Sequence, residues 1–194
     1  MFSEYRVVGV IAFLALVGLG EGLVRAAETY TIDPMHSSVS FQADHAGVSR
    51  VHGRFNQVSG SFTIDKDDPS KSSFELTIQT DSVDTNNKNR DNHLKSPDFF
   101  NAKQFPVITF KSTSVKATDG GYEVQGDLTM HGQSKPVSFV LKGGKEVQFP
   151  PGVHRTGFTT DLSLKRTDFG MSEKMLKMIA DEALVSIAIE GTHK

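Results

Sequence analysis

The sequence predicts an all-β domain, a single antiparallel barrel of eight strands. From Thr31 onward apolar residues recur at every second position, the period of a strand with one buried face. The alternating segments are separated by short clusters of Asp, Gly, Ser and Pro, which is turn chemistry. At 194 residues the chain is long enough for one domain with a substantial core.

The first strand is expected near 37–43 and the second over 53–64. The third, near 73–80, carries Phe74-Glu75-Leu76-Thr77-Ile78, and Asp65-Lys66-Asp67-Asp68-Pro69-Ser70 forms the turn before it. The fourth lies near 106–112 and the fifth near 122–130, with Asp119-Gly120-Gly121 between them. His131-Gly132-Gln133 is a hairpin connection to the sixth, near 134–142, and Lys142-Gly143-Gly144 ends it. The seventh spans 154–164. In the eighth, near 182–191, Ala183, Val185, Ile187 and Ile189 form a uniformly apolar face. Short loops between successive strands imply antiparallel neighbours, and eight such strands close into an up-and-down barrel. Gly53, Gly60, Gly126 and Gly157 fall within or at the ends of strands, where glycine marks a barrel bend. Two short helices interrupt the pattern. One is capped by Asp84 or Thr85 and runs to about Leu94; the other follows Gly170, with Ser172 as cap.

Residues 1–26 read as a secretory leader. A polar start ending at Arg6 precedes an apolar run over 7–19, and Val24-Arg25-Ala26 offers a small-residue cleavage site. The expected domain is therefore 27–194, exported, and periplasmic in a cell with an outer membrane. The chain has no cysteine, which suits export and cytosol alike. Its net charge is −2 and its charges are interspersed, which argues against a nucleic-acid partner.

The densest chemistry lies over 91–110. Asp91-Asn92-His93-Leu94-Lys95-Ser96-Pro97-Asp98-Phe99-Phe100 is followed by Asn101-Ala102-Lys103-Gln104 and Phe105-Pro106-Val107-Ile108-Thr109-Phe110. Each ring hides roughly 150–250 Å² when buried, so this much aromatic area packs against something large and apolar. It is either a loop pinned on the core or the mouth of an apolar pocket. With Ile32-Asp33-Pro34-Met35-His36-Ser37, Gly47-Val48-Ser49, Gly53-Arg54-Phe55, Ser82-Val83-Asp84-Thr85, Gly126-Asp127-Leu128-Thr129-Met130-His131-Gly132, Pro136-Val137, Gly157-Phe158 and Asp168-Phe169-Gly170, the block resembles the YceI-like family of lipid binders. The ordered matches span about residues 30–190. The chain departs from that pattern at His45-Ala46-Gly47, where relatives often have His-Leu-Gly.

The resemblance implies a lipocalin-like barrel with an elongated apolar cavity that holds a long amphiphile. Phe41, Phe55, Phe99, Phe100, Phe110, Leu128, Met130, Phe139 and Phe158 are expected to line it. Met171, Met175, Met178 and Ile179 form a soft apolar face suited to varied shapes, and Met175 and Met178 join the expected lining. Arg90, Asp91, His93, Ser96 and Asp168 are expected at a polar entrance, with Lys165 and Arg166 beside the last. The same polar groups have a structural alternative, which is to bond backbone left unpaired by the end loops. A filled core is likewise the alternative to a cavity.

No Gly-x-Ser-x-Gly elbow, His-Glu-x-x-His, phosphate loop or cysteine nucleophile occurs in the expected domain, and the histidines have no metal-site spacing. The expected protein is thus a non-enzymatic binder without cofactor or metal. It sequesters or carries a long-chain lipid, with a polyisoprenoid or isoprenoid quinone foremost. Alternatives are a scavenger of fatty acids or lipophilic drugs, a hydrolase or isomerase acting on a lipophilic substrate, an accessory that presents a quinone to a membrane redox partner, and a stress-induced barrel with a filled core. An exposed barrel mouth is compatible with transient membrane contact and with a homodimer.

Overall fold

A computed structural model gives the protein over residues 27–194. The expected leader lies outside the described residues. The strands are β1 (Glu28–Ile32), β2 (Ser38–His45), β3 (Ser49–Phe55), β4 (Val58–Ile64), β5 (Ser73–Gln79), β6 (Val83–Asp84), β7 (Val107–Thr118), β8 (Gly121–Met130), β9 (Gln133–Gly143), β10 (Val147–Gln148), β11 (His154–Lys165) and β12 (Ile179–His193). Among the described residues there is one α-helix, α1 (Lys88–Leu94). Single 3-10 turns occur at Pro69–Lys71, Thr80–Ser82, Arg166–Phe169 and Glu173–Met175.

These strands make the eight walls of a closed antiparallel barrel, as the alternation predicts. The difference in count arises because four walls are each broken once; in one of them β9 and β10 lie end to end along the same edge of β11. β1 and β2 lie end to end along the same edge of β12, with Thr31 opposite Thr192 and Phe41 opposite Val185. β4 pairs with β1 and β3 with β2, so residues 56–57 break the second wall. β5 pairs with β4 and β6 with β3, so the turn at Thr80–Ser82 breaks the third. β7, β8, β9, β11 and β12 then follow in order. The pattern over 53–64 thus reads as one strand but is the end of β3 joined to β4, and β1 carries too few residues to alternate visibly.

Closure is uneven. β11 pairs with β12 along its whole length, from His154 opposite His193 to Lys165 opposite Glu182. β9 and β11 share only Phe158 opposite Gly143 and Thr159 opposite Lys142. Beyond those pairs the two strands part, leaving a seam without a backbone ladder. Pro136 lies in that stretch of β9 and has no N–H to donate, which a strand tolerates at such an edge.

Two apolar clusters fill the interior. One contains Tyr30, Phe62, Phe74, Val124, Leu141 and Phe158, all nearly free of solvent contact. Tyr30 stacks on Phe62 at 5.2 Å between ring centres, and Phe158 meets Phe62 and Phe74 edge-on at 5.5 Å each. Such aromatic pairs contribute about 0.5–1.5 kcal/mol apiece beyond their buried area. This cluster plugs one end. Its polar rim is also tied: the Tyr30 hydroxyl lies 2.8 Å from Glu28 Oε2 and 3.0 Å from Glu146 Oε2. Lys66 Nζ donates to the same Glu146 oxygen at 2.8 Å, and His154 Nδ1 lies 2.7 Å from Glu146 Oε1. Lys66 and His154 hold the Glu146 carboxyl at about 2, well below the ordinary glutamate value. Burial pushes the Tyr30 hydroxyl up, and the neighbouring carboxylates add to that.

The second cluster lies at the other end, where Val39, Phe55, Ile78, Val83, Ile108, Met130, Phe169 and Met171 pack beneath α1 and the turn at Arg166–Phe169. Asn87 caps α1, its side chain accepting from Asn89 N and Arg90 N, in place of the expected Asp84 or Thr85. The second expected helix shrinks to the single turn at Glu173–Met175, where Ser172 Oγ accepts from Lys174 N as a cap.

Candidate functional site

Between the two clusters lies an apolar cavity of about 170 Å³. Its floor is the top of the plug, made by Ile32, Phe74, Leu141 and Ile189. Its walls come from the inward residues of alternating strands. β12 supplies Ala183, Val185 and Ile187, and β2 supplies Val39, Phe41 and Ala43. Phe110, Leu128, Val137 and Phe139 face them from β7, β8 and β9. Leu94, Phe99, Phe100 and Met171 close the top.

Glycines keep this space open. Gly53 stands directly opposite Phe41, and a Cβ at Gly53 would lie 2.4 Å from the Phe41 ring. A Cβ at Gly126 would lie 2.5 Å from the Phe110 ring. Each ring therefore folds flat over a glycine on the wall instead of crossing the lumen. Above them Phe100 drops from the loop and meets Phe55 edge-on at 5.3 Å and Phe41 at 6.2 Å. The loop is pinned so that it can do this: Phe100 N donates to Leu94 O at 2.9 Å and Ala102 N to Lys95 O at 3.0 Å.

Of the eleven apolar residues expected to line a cavity, the structure brings eight together: Phe41, Phe55, Phe99, Phe100, Phe110, Leu128, Met130 and Phe139. Three are corrected. Phe158 points inward but sits in the plug below the floor, between Phe62 and Phe74. Met175 and Met178 do not reach the lumen, because the chain after Gly170 makes one 3-10 turn and cannot present a helical face. Met178 is exposed; Met171 and Ile179 are the members of that group that line the cavity.

The five polar residues expected at an entrance do not line the cavity either. Four serve the local backbone and side chains. The Asp91 carboxylate accepts from Thr85 N at 2.8 Å and from Thr85 Oγ1 at 2.5 Å. Arg90 Nε donates to Thr85 Oγ1 and Arg90 Nη2 to Thr85 O, both at 2.8 Å. Ser96 Oγ donates to His93 O at 2.7 Å, and His93 Nε2 lies 3.4 Å from Asp98 Oδ2. These contacts fasten α1 over the barrel end. Asp168 is exposed on the turn at Arg166–Phe169.

The charged side chain that the sequence placed beside the methionines but outside the expected site is Arg166. It is only 6% exposed and borders the cavity top. Glu75 also borders the cavity, but its carboxylate turns outward to Lys111 Nζ at 2.9 Å. At the plugged end Asp33, His36 and Glu190 converge with ligand atoms within 4.8 Å of one another. Arg155 Nη1 already bridges the two carboxylates there, at 3.1 Å from Asp33 Oδ2 and 2.6 Å from Glu190 Oε1.

Comparison with known proteins agrees with this architecture. A YceI-like domain model matches residues 30–191. A UPF0312 protein of Pseudomonas aeruginosa is 39% identical over 187 residues, covering 93% of this chain and 97% of that protein. BcnA of Burkholderia cenocepacia superposes with a TM-score of 0.74 at 24% identity, over 82% of this chain and 98% of that one. A domain from Saccharophagus degradans, described as polyisoprenoid binding and implicated in plant cell wall breakdown, superposes with a TM-score of 0.64 at 16% identity, over 85% of this chain and 98% of that one. With residues 30–191 matched, nearly all of its described length, the chain belongs to the YceI-like domain family.

Proposed function

We propose that the protein binds the apolar chain of a long amphiphile, a polyisoprenoid or isoprenoid quinone, inside the barrel. The observation that carries this reading is the cavity itself, an interior space walled almost wholly by Phe, Leu, Ile, Val, Ala and Met between a plugged floor and a pinned cap. Moving a chain from water into such a space is favourable by about 0.8 kcal/mol per methylene. The Saccharophagus degradans neighbour with the same barrel supports an isoprenoid cargo.

Size constrains how the chain sits. The lumen has a volume of about 170 Å³. Pockets for drug-sized ligands run from about 300 to 1,000 Å³. A long chain therefore requires the lumen to widen. Met130 and Met171 are the adaptable side chains, and the unladdered seam between β9 and β11 is the wall that can part without breaking backbone hydrogen bonds. Binding of this kind needs no metal and no covalent step. With the expected leader removed near Ala26, the protein acts outside the cytosol as a carrier or store.

Native mass spectrometry tests the proposal, on protein purified without detergent from the periplasmic fraction of its own cell. One long-chain molecule per polypeptide, identified after release, is the expected result. A bare polypeptide mass that persists after incubation with isoprenoids would overturn it.

A further inference from the structure

The outer surface of the cap combines exposed apolar side chains with lysines. Residues 172–178 run Ser172-Glu173-Lys174-Met175-Leu176-Lys177-Met178, two lysines interleaved with three apolar residues. The segment is a strap over the cavity top, since Met171 before it and Ile179 after it both line the lumen. Arg166, buried behind it, ties the two ends: Nη1 donates to Ser172 O at 2.7 Å and Nη2 to Ile179 O at 3.2 Å. The middle of the strap faces solvent, with Leu176 39% and Met178 46% exposed and both lysines exposed. The tip of the hairpin between β2 and β3 adjoins it. Ala46 N donates to Met178 O at 2.7 Å, and Val48, two residues on, is 85% exposed. A single exposed apolar residue is ordinary, but adjoining ones rimmed by charge mark an interaction surface.

Charge selects the partner. The segments that close the capped end, 46–48, 85–106, 131–132 and 166–178, carry seven Lys or Arg against four Asp or Glu, a balance of +3 in a chain whose net charge is −2. At the plugged end, residues 65–72, 119–120 and 144–153 carry three basic side chains against five acidic ones. Phe149 and Val147 are exposed there too, but in an acidic surround. We propose that the capped end docks on a bilayer containing anionic phospholipid. Val48, Leu176 and Met178 enter the headgroup boundary, and Lys174 and Lys177 meet the lipid phosphates. At such an interface buried apolar area and electrostatic attraction add. The apolar residues stand on a strap and a hairpin tip, which suits a fluid surface that yields to them. Docking this way lays the cavity top against the lipid in which a long amphiphile resides, and the surface itself does not depend on what the cavity holds.

The test is co-sedimentation of the full mature chain, with no cargo added, with vesicles of phosphatidylcholine alone and of equal parts phosphatidylcholine and phosphatidylglycerol. The wild type is expected to bind the mixed vesicles about tenfold or more tighter, and high salt should erase the difference. Lys174→Glu/Lys177→Glu should remove that preference. Leu176→Ser/Met178→Ser should weaken binding to the mixed vesicles by about fivefold or more. Phe149→Ser, at the plugged end, should bind as the wild type does. An unchanged unfolding midpoint shows that each variant folds, and Val48→Ser serves where Leu176→Ser/Met178→Ser does not. A wild type that binds neither vesicle, cap variants that bind as the wild type does, or an equal loss in Phe149→Ser would overturn the proposal. So would a dimer in sedimentation velocity that Leu176→Ser/Met178→Ser dissociates, since a second copy would then cover the patch. Because no cargo is present, failure here leaves the cavity reading standing.

Discussion

At the plugged end Phe62, Phe74 and Phe158 pack with Tyr30 and Tyr122, partly stacked and partly edge-on, into a solid layer, whereas at the capped end Phe41, Phe55 and Phe100 meet tilted or edge-on around open space. The residue type is the same, and so is its position on inward faces of alternating strands. Glycines back rings at both ends, Gly191 under Phe62 as well as Gly53 beside Phe41, so what differs is what each ring meets across the interior. Phe158 faces other large rings, so each fills the space left by its neighbours. Phe41 faces Gly53 and Phe110 lies over Gly126, so those rings lie back on the wall. The plug closes the barrel, and the wall leaves it hollow.

That contrast can be broken with single substitutions. Phe158→Ala removes the ring at the centre of the plug and should cost about 3–5 kcal/mol of stability, read from denaturant unfolding. Ligand bound per folded molecule should be unchanged. Phe100→Ala should cost less, about 1–2 kcal/mol, because the ring already borders open space and sits on a loop. Its larger effect should be on ligand affinity. If the two substitutions exchanged these effects, the assignment of plug and wall would be reversed.

A smaller effect separates the ends by pH. Glu146, with an ordinary value of 4.5, is held at about 2 in the folded protein. Asp33, with an ordinary value of 3.8, is also held at about 2, chiefly by His36, with Arg155 contributing. Both are lowered, so the stability they provide is complete above about pH 4.5 and declines as pH falls toward 2. The unfolded chain takes up the protons first in that window. Unfolding midpoints measured from pH 7 to 2 should fall there, and Glu146→Gln should flatten the decline. An unchanged slope in that variant would mean that the rim of the plug contributes nothing.

The barrel is legible in the sequence because alternation is local: Ala183, Val185, Ile187 and Ile189 all turn inward as their spacing requires. Height along the barrel axis is not local. Phe158 and Phe139 have the same inward signal, yet only register places Phe158 opposite Ile189, beside Phe62 and Phe74 and below the floor. The polar residues at 90–96 sit next to the phenylalanines in sequence, which suggests an entrance. A short Asn-rich helix has few stabilising features of its own, and it consumes Arg90 and Asp91 to tether itself to Thr85. Arg166 reads in sequence as one basic residue among several. Its burial appears only when the turn at Arg166–Phe169 folds back over the lumen and the backbone of 172–180 wraps it.

The most direct test of the account is to fill the cavity and leave the rest alone. Ala43 faces the lumen on β2, and Ala43→Phe places a ring in the space between plug and cap. Titrated with dodecanoate in a calorimeter, the wild type should bind one molecule per chain. The variant should bind none while keeping an unfolding midpoint at least as high as the wild type, since it fills a void. Undiminished binding by the filled variant would place the ligand outside the barrel and contradict the account.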